Sequence, residues 1–479
     1  MRICLATQHA DDYFAPLALL YLKASLLSHT PLRAGDVQVL EFPDSATSGD
    51  IAERILACEP DVLGLSCYVW NIRALTAVCR LVKARRPQTR IVLGGPEVGP
   101  IARQVLEANR AADVVVRSEG ERPFAALVAC WLDGDDASDV AGITYRDERG
   151  IHDTADAPIV TDLNALASPH LTLGTDLTGR SVCLETQRGC VFRCTFCFYN
   201  KDLSIRNRRF DLDRVKEEIA YWLRQDIREL YLMDPIFNLN AARAKEICRF
   251  IAAHNHRRAG VHAEIWAEFV DDEMARLMRD AGFTFLEVGL QSTDDQALAT
   301  VDRRLRLQRF LDGVAALKRY GLWWELQLIV GLPGETRASF RRSLNFAASL
   351  DASVLAVYPL MVLPGTELWR TADALRLSFD PEPPYHVRSH YSMSEEDVAY
   401  GFRVVRALQE IGEYRALRLL ATEHRLPYAD VLDAWIDWDQ ANPGQETIGY
   451  RVKHFLIEFC NQHRIADQAY RLTSQQLAG

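Results

Sequence analysis

The 479-residue chain contains no uninterrupted apolar run approaching the roughly 18–20 residues that span a bilayer, so no membrane-crossing helix is expected. It lacks a glycine fingerprint G-x-G-x-x-G after its first apolar strand. That position reads ATQHADD, which argues against an NAD or FAD site. There is no excess of positive charge: 55 Lys and Arg face 65 Asp and Glu, a formal charge of −10, so neither nucleic acid nor an anionic membrane is expected as a partner. The opening MRICLATQHADDYF reaches His9, Asp11 and Asp12 too early for a secretory signal, and a cytoplasmic location is the expectation. Internal repeats, low-complexity tracts and like-charge blocks are absent too. Eleven cysteines, an odd number without a secretory signal, do not read as a disulfide framework; Cys4, Cys58, Cys79, Cys130, Cys248 and Cys460 stand alone on apolar stretches and read as buried thiols.

What is present is an ordinary globular composition, 48% hydrophobic and 25% charged, with length for about three domains. Residues 1–140 alternate apolar strands (RICLAT, DVQVLEF, DVLGLSCYV, RIVLGG, ADVVVRS) with amphipathic helices. Strands apolar throughout, each followed by a helix, predict a doubly wound parallel sheet, with ligands beyond the carboxyl ends of its strands. Those ends read SCYVWN, GGPEVG and SEGE, and Gly94, Gly95 and Gly120 would let a large ligand approach the backbone closely.

After a linker at 141–180 the alternation restarts over 181–370: six strands, from SVCLETQ to SVLAVYPLM, with five helices between them. This predicts a partial (β/α)6 barrel with its chemistry at the C-terminal strand ends. Just after the first strand, ETQRGCVFRCTFCFYN places Cys190, Cys194 and Cys197 as C-x3-C-x2-C. Three soft sulfur ligands suit an iron–sulfur cluster, and a four-iron cluster held by three cysteines keeps one iron open. A structural zinc site would be closed by a fourth Cys or His, and Cys183 lies within the predicted strand.

This run, with Phe196 before its last cysteine, resembles the radical S-adenosylmethionine (SAM) superfamily. The resemblance implies a [4Fe-4S] cluster on the three cysteines and SAM chelated to the open iron. It also implies reductive cleavage of SAM to a 5′-deoxyadenosyl radical, and an external electron donor of flavodoxin or ferredoxin type. MDPIFN resembles the segment near the methionine amino group and puts Asp234 there; Glu268 in WAEFV sits where the family places a polar ribose contact. VGLQS, with Gln291 and Ser292, and LIVGLPGET resemble the later strand-end motifs around ribose and adenine.

A doubly wound domain ahead of such a barrel, with LSCYVWNI, LGGPEVG and VRSEGERPF, resembles the cobalamin-binding branch of that superfamily. On this resemblance Ser66, Cys67 and Tyr68 would approach the lower face of the corrin, and Gly94, Gly95, Glu97, Glu119 and Gly120 would flank its nucleotide tail. The D-x-H-x-x-G motif is absent, and His9 does not replace it, so cobalt would have no protein imidazole. Residues 371–479, after the break SFDPEPPYH, read as mainly helical, with Trp435, Trp438 and Phe459 as core; Tyr385, His386, Arg388 and His390 are candidate contacts for a small-molecule substrate. The expected activity is a cobalamin-dependent radical SAM methyltransferase moving a methyl group via methylcobalamin to an unactivated carbon or similarly inert centre. A non-methylating rearrangement or oxidation with the same cofactors, and a non-enzymatic cobalamin sensor with a cluster, are the alternatives.

Overall fold

The computed structural model describes residues 1–10, 14–200, 207–444 and 446–465. Five parallel strands form the N-terminal sheet in the order Val37–Phe42, Ile3–Gln8, Val62–Ser66, Arg90–Gly94, Val114–Val116. Successive residues point to opposite faces, and each face has its own core. Cys4, Ala6, Leu63 and Leu65 pack with Ile51, Val78 and Leu106, while Ile3, Leu5, Val62 and Val92 pack with Leu19, Leu26, Phe124 and Val128. The sheet does not stop at residue 140. Ile143–Asp147 and Gly150–Asp153 add an antiparallel hairpin to its edge, so the expected linker at 141–180 begins as part of the first domain.

The second sheet has six parallel strands, each paired with the next: Ser181–Leu184, Glu229–Leu232, Gly260–Ile265, Phe283–Gln291, Trp324–Val330 and Val354–Pro359. One side chain in two (Val182, Leu230, Val261, Leu286, Leu326 among them) is buried outward under helices such as Leu212–Leu223 and Arg337–Ser349. The alternate set, including Tyr231, Glu264, Glu287 and Gln327, faces a lumen and is only half-buried. First and last strands do not pair, so the barrel is open on one side.

The first domain sits against the opening strand. Ala15 N donates to Ser181 O, Arg180 pairs with Glu41 at 2.6 Å, and the Phe14 ring lies 5.6 Å from Tyr231 in the lumen. On the other edge, residues 385–387 pair with 360–362 and lead into four helices, Glu395–Ile411, Arg415–Glu423, Tyr428–Ala441 and Ile448–Gln462. Their core includes the expected Trp435, Trp438 and Phe459. No helix among the described residues is long and apolar enough to cross a membrane.

Candidate active site

The cysteine loop is built by the residues around it. Asp234, past the end of the second barrel strand and 1% exposed, accepts the Thr186 N–H (2.7 Å), the Thr186 hydroxyl (2.6 Å) and the Gln187 N–H (3.1 Å). Burial pushes this carboxyl up to about 7 against those hydrogen bonds. Asp234 is therefore committed to the turn that launches the loop, whereas the sequence expectation placed it against a ligand. Asn238, from the same MDPIFN stretch, holds both backbone groups of Trp266. Phe192 of the loop stacks on Trp266 at 4.1 Å, and the Arg303 guanidinium lies 4.4 Å from the same ring. Two groups cannot share one face at those distances, so Trp266 is held between them. Arg303 also places Nη1 3.9 Å from Cys194 Sγ. Thr195 closes the clamp: its N–H donates to Val301 O and its carbonyl accepts from Leu368 N.

Cys190, Cys194 and Cys197 are electrostatic neighbours. Backbone N–H groups of Phe192 and Val191 donate to Cys190 Sγ, and that of Tyr199 donates to Cys197 Sγ. Burial raises both thiols, Cys197 to about 12. Among the described residues no three Cys, His, Asp or Glu side chains converge on a single ion. An iron–sulfur cluster needs no such convergence, since each thiolate takes its own iron, and N–H donors to sulfur together with a nearby cation suit its negative charge. Phe196, in the same loop, packs inward against the barrel core.

Below the loop, the lumen carries a polar row that sequence reading missed. Glu264, Glu287 and Glu325 stand side by side on three adjacent strands. His262 lies 2.8 Å from Glu287, Gln327 donates to Glu287 (2.7 Å) and Glu325 (2.9 Å), and Tyr358 donates to Glu325 (3.0 Å). Glu264, 3.4 Å from the Tyr231 hydroxyl, is pushed up to about 8, first by burial and then by the charge of Glu287. At the strand ends, Gln291 takes a left-handed backbone (φ 70°) and lies over Gly289, where a larger residue would collide with it. Glu268 is tied to the Arg306 N–H at 3.0 Å. Ser292 departs from expectation. It is fully buried, donates to Glu335 Oε1 at 2.8 Å, and belongs to the loop's own core.

In the first domain the strand order reverses between Ile3–Gln8 and Val62–Ser66, where such sheets open a ligand crevice. Asn71 ties its two sides through Thr7 Oγ1, Gln8 O and Ser66 O. Tyr68 stacks on half-exposed Trp70, centroids 4.4 Å apart and planes within 4°, a flat aromatic platform whose Trp70 half was not foreseen. Tyr68 also faces the barrel: after burial, the neighbouring Glu185 and Cys183 help raise its hydroxyl. Gly95 (φ 113°) must be glycine, because a Cβ there would lie 2.5 Å from Cys67 O; at Gly94 the nearest atom to such a Cβ is 3.8 Å away.

Several expected contacts are turned elsewhere. Ser66 is 7% exposed, and the Cys67 thiol faces inward, fully buried. Glu97 is buried against the hydroxyl of Tyr385, which makes that residue part of a strap rather than a substrate contact. Glu119 receives Arg208 from the barrel at 2.5 and 3.0 Å. Gly120 lies beneath Leu22. Beside them Arg188, two residues before Cys190, pairs with Glu121 (2.7 Å) and Glu185 (2.9 Å) and covers the Tyr21 ring at 4.8 Å. These carboxylates join the domains. In the strap, Arg388 pairs with Asp380, His386 lies edge-on to Phe402, and buried His390 accepts from Ser392.

Residues 184–347 match the radical SAM superfamily, and residues 4–128 match the B12 binding domain. This chain belongs to the cobalamin-binding radical SAM family. Its similarity to the uncharacterized methyltransferase PH0819 of Pyrococcus horikoshii is 26% identity over 76% of the chain and 79% of that protein. To the cobalamin-dependent radical SAM methyltransferase TokK of Streptomyces tokunonensis it is 30% over 65% of the chain, which spans 48% of TokK. The structure of the methyltransferase TsrM from Kitasatospora setae, solved with cobalamin and a [4Fe-4S] cluster, superposes with a TM-score of 0.64 at 18% identity, covering 80% of this chain and 78% of that one.

The residues present fit the cofactors of this cobalamin-binding radical SAM protein. The cysteine loop supplies three sulfurs under N–H donors, and the crevice supplies a flat platform beside a glycine-lined strand end. His9 is bound to Glu41 at 3.0 Å, in keeping with the missing D-x-H-x-x-G motif.

Proposed function

We propose that the protein is a cobalamin-dependent radical SAM methyltransferase that methylates a small molecule at an unactivated carbon or similarly inert centre. The observation that carries this reading is the arrangement of its two sites. A three-cysteine loop opens onto a polar lumen, and the open side of that lumen is covered by the strand ends of the B12 domain, with Tyr68 beside Cys183 and Glu185. When bound, the cluster with SAM supplies hydrogen-abstracting chemistry and the cobalamin supplies a methyl carrier.

The chain's own residues hold and order this space. Cys190, Cys194 and Cys197 are the cluster ligands, and Arg303 holds a positive charge at Cys194. Asp234 and Asn238 fix the entry to the loop and Trp266 beneath it. The Tyr68–Trp70 platform orients a planar ligand at the crevice. Glu264, whose carboxyl burial and the charge of Glu287 push up to about 8, accepts from Tyr231 in the lumen, and the Glu287–Gln327–Glu325–Tyr358 row lines its wall. The strap, residues 380–390, is anchored on the first domain by Tyr385 on Glu97 and by Glu382 on Arg73 (3.2 Å).

The test is anaerobic incubation of the reconstituted protein with SAM and a low-potential reductant, followed by product analysis. Formation of both 5′-deoxyadenosine and S-adenosylhomocysteine supports methyl transfer. 5′-Deoxyadenosine alone, with no S-adenosylhomocysteine, would make the chemistry a rearrangement or oxidation.

A further inference from the structure

The rim of the cysteine loop concentrates positive charge. The protein is acidic overall, at −10, yet residues 301–309 (VDRRLRLQR) together with Arg193 contain five arginines and a single carboxylate, Asp302. The two stretches are neighbours: Thr195 N donates to Val301 O, Arg303 reaches Cys194, and Phe192 and Arg303 grip the same Trp266 ring. Arg193, Arg304, Arg306 and Arg309 are exposed, and their side chains form no ion pair with a described residue. Some exposed arginines of the barrel do pair with acids, as Arg249 does with Glu273 and Arg319 with Asp272. Among the arginines stand two large apolar side chains left in solvent, Val191 at 54% and Leu307 at 47% exposure. Unpaired like charges repel one another and exposed apolar surface costs free energy, so a surface that keeps both next to a redox centre fits a partner that neutralises the one and covers the other.

We propose that this rim, formed by Val191, Arg193, Arg304, Arg306, Leu307 and Arg309, is the docking surface for a small acidic one-electron carrier protein that reduces the cluster. The inference rests on the cluster assignment above and adds where its electron enters. The loop that holds the cluster is itself exposed here, so a carrier seated on Val191 and Arg193 stands one loop away from the cysteines. In the step the carrier loses one electron and the cluster gains one; no bond forms or breaks and no proton moves. The arginines steer the encounter, which makes it fast and salt-sensitive, and the two apolar residues supply a short-lived, weakly bound contact.

The experiment uses the full chain with its cluster reconstituted, as wild type, as Arg304→Glu/Arg309→Glu and as the milder Arg304→Gln/Arg309→Gln. Reduction is followed by stopped flow with two donors: a reduced flavodoxin, which is acidic, and reduced methyl viologen, a small cation needing no docking site. With flavodoxin at low salt the charge-reversed protein should be slower by roughly tenfold or more, the neutralised one should fall between, and the salt dependence should flatten. With viologen neither variant should be slower than wild type. A flavodoxin rate unaffected by charge reversal, in a protein with a full cluster, overturns the docking surface and leaves the proposed function standing. Equal slowing with both donors also overturns it, since the arginines would then act on the cluster itself. A patch that binds single-stranded DNA while leaving the flavodoxin rate insensitive to charge would assign it to a polyanion and overturn the proposal. A wild type that takes up no cluster overturns both readings, and is recognised before any donor is added.

Discussion

Replacing Glu119 separates two roles for the same carboxylate. If it joins the domains, its loss weakens their docking; if it serves a nucleotide tail, its loss weakens cobalamin binding. In the structure Glu119 accepts two N–H groups of Arg208, at 3.0 and 2.5 Å, and Arg188 stands 3.7 Å away. The Arg208 side chain is 10% exposed and also donates to Val160 O. Breaking a fully buried ion pair by removing one partner costs about 3–5 kcal/mol. Glu119 itself is 29% exposed, so water recovers part of that, and Glu119→Ala should cost ~2 kcal/mol. Arg208→Lys keeps the charge and loses the fork, for about 1 kcal/mol. A chain of several domains does not unfold as a two-state system, so the quantities to read are the midpoint of the first urea transition and proteolysis of the 154–180 connection. Both should shift while hydroxocobalamin affinity of the folded protein stays unchanged. Weakened cobalamin binding with an unmoved transition would refute the reasoning and return Glu119 to the cofactor.

Other outcomes follow from single side chains. Gly95→Ala places a Cβ against Cys67 O at a φ of 113°, and should destabilise the first domain by at least ~2 kcal/mol, read from thermal melts of the cofactor-free protein. Glu335 is fully buried, and burial pushes its carboxyl from 4.5 to about 8. The folded state therefore keeps a proton that the unfolded state releases, and stability falls as pH rises from 4.5 towards 8, by at most ~1.4 kcal/mol per pH unit. Glu335→Gln should flatten that slope when urea midpoints are compared across this window. Arg303→Met, with its cluster intact, should lower the cluster's reduction potential in an EPR-monitored titration, and Arg303→Lys should restore most of it, because a cation beside Cys194 favours the more negative, reduced cluster.

The parallel strands of both sheets were legible because each is an apolar run bounded by turn residues, and the cysteine loop because its ligands lie within eight consecutive positions. The hairpin Ile143–Asp153 was not. ITYRD and GIHD are short edge strands, half polar, and resemble a linker. The lumen row Glu264–Glu287–Glu325 comes from three strands far apart in sequence; its trace is a polar residue at every second position, as in LEVGLQ and ELQL, within otherwise apolar runs. Strand-end position told where Glu97 and Glu119 would stand, but not what they would touch. Their partners, Tyr385 and Arg208, lie 288 and 89 residues further along the chain. Ser292 and Asp234, read as neighbours of bound S-adenosylmethionine, hold their own loops here, as polar residues at loop entries often do.

The most direct test of the central claim is the metal content of the reconstituted chain, measured for the wild type and for Cys190→Ser, Cys194→Ser and Cys197→Ser. The account predicts about four irons and one cobalt per wild-type chain, with iron lost and cobalt kept in each serine variant. Zinc in place of iron, or cobalt that disappears together with the iron, would contradict it.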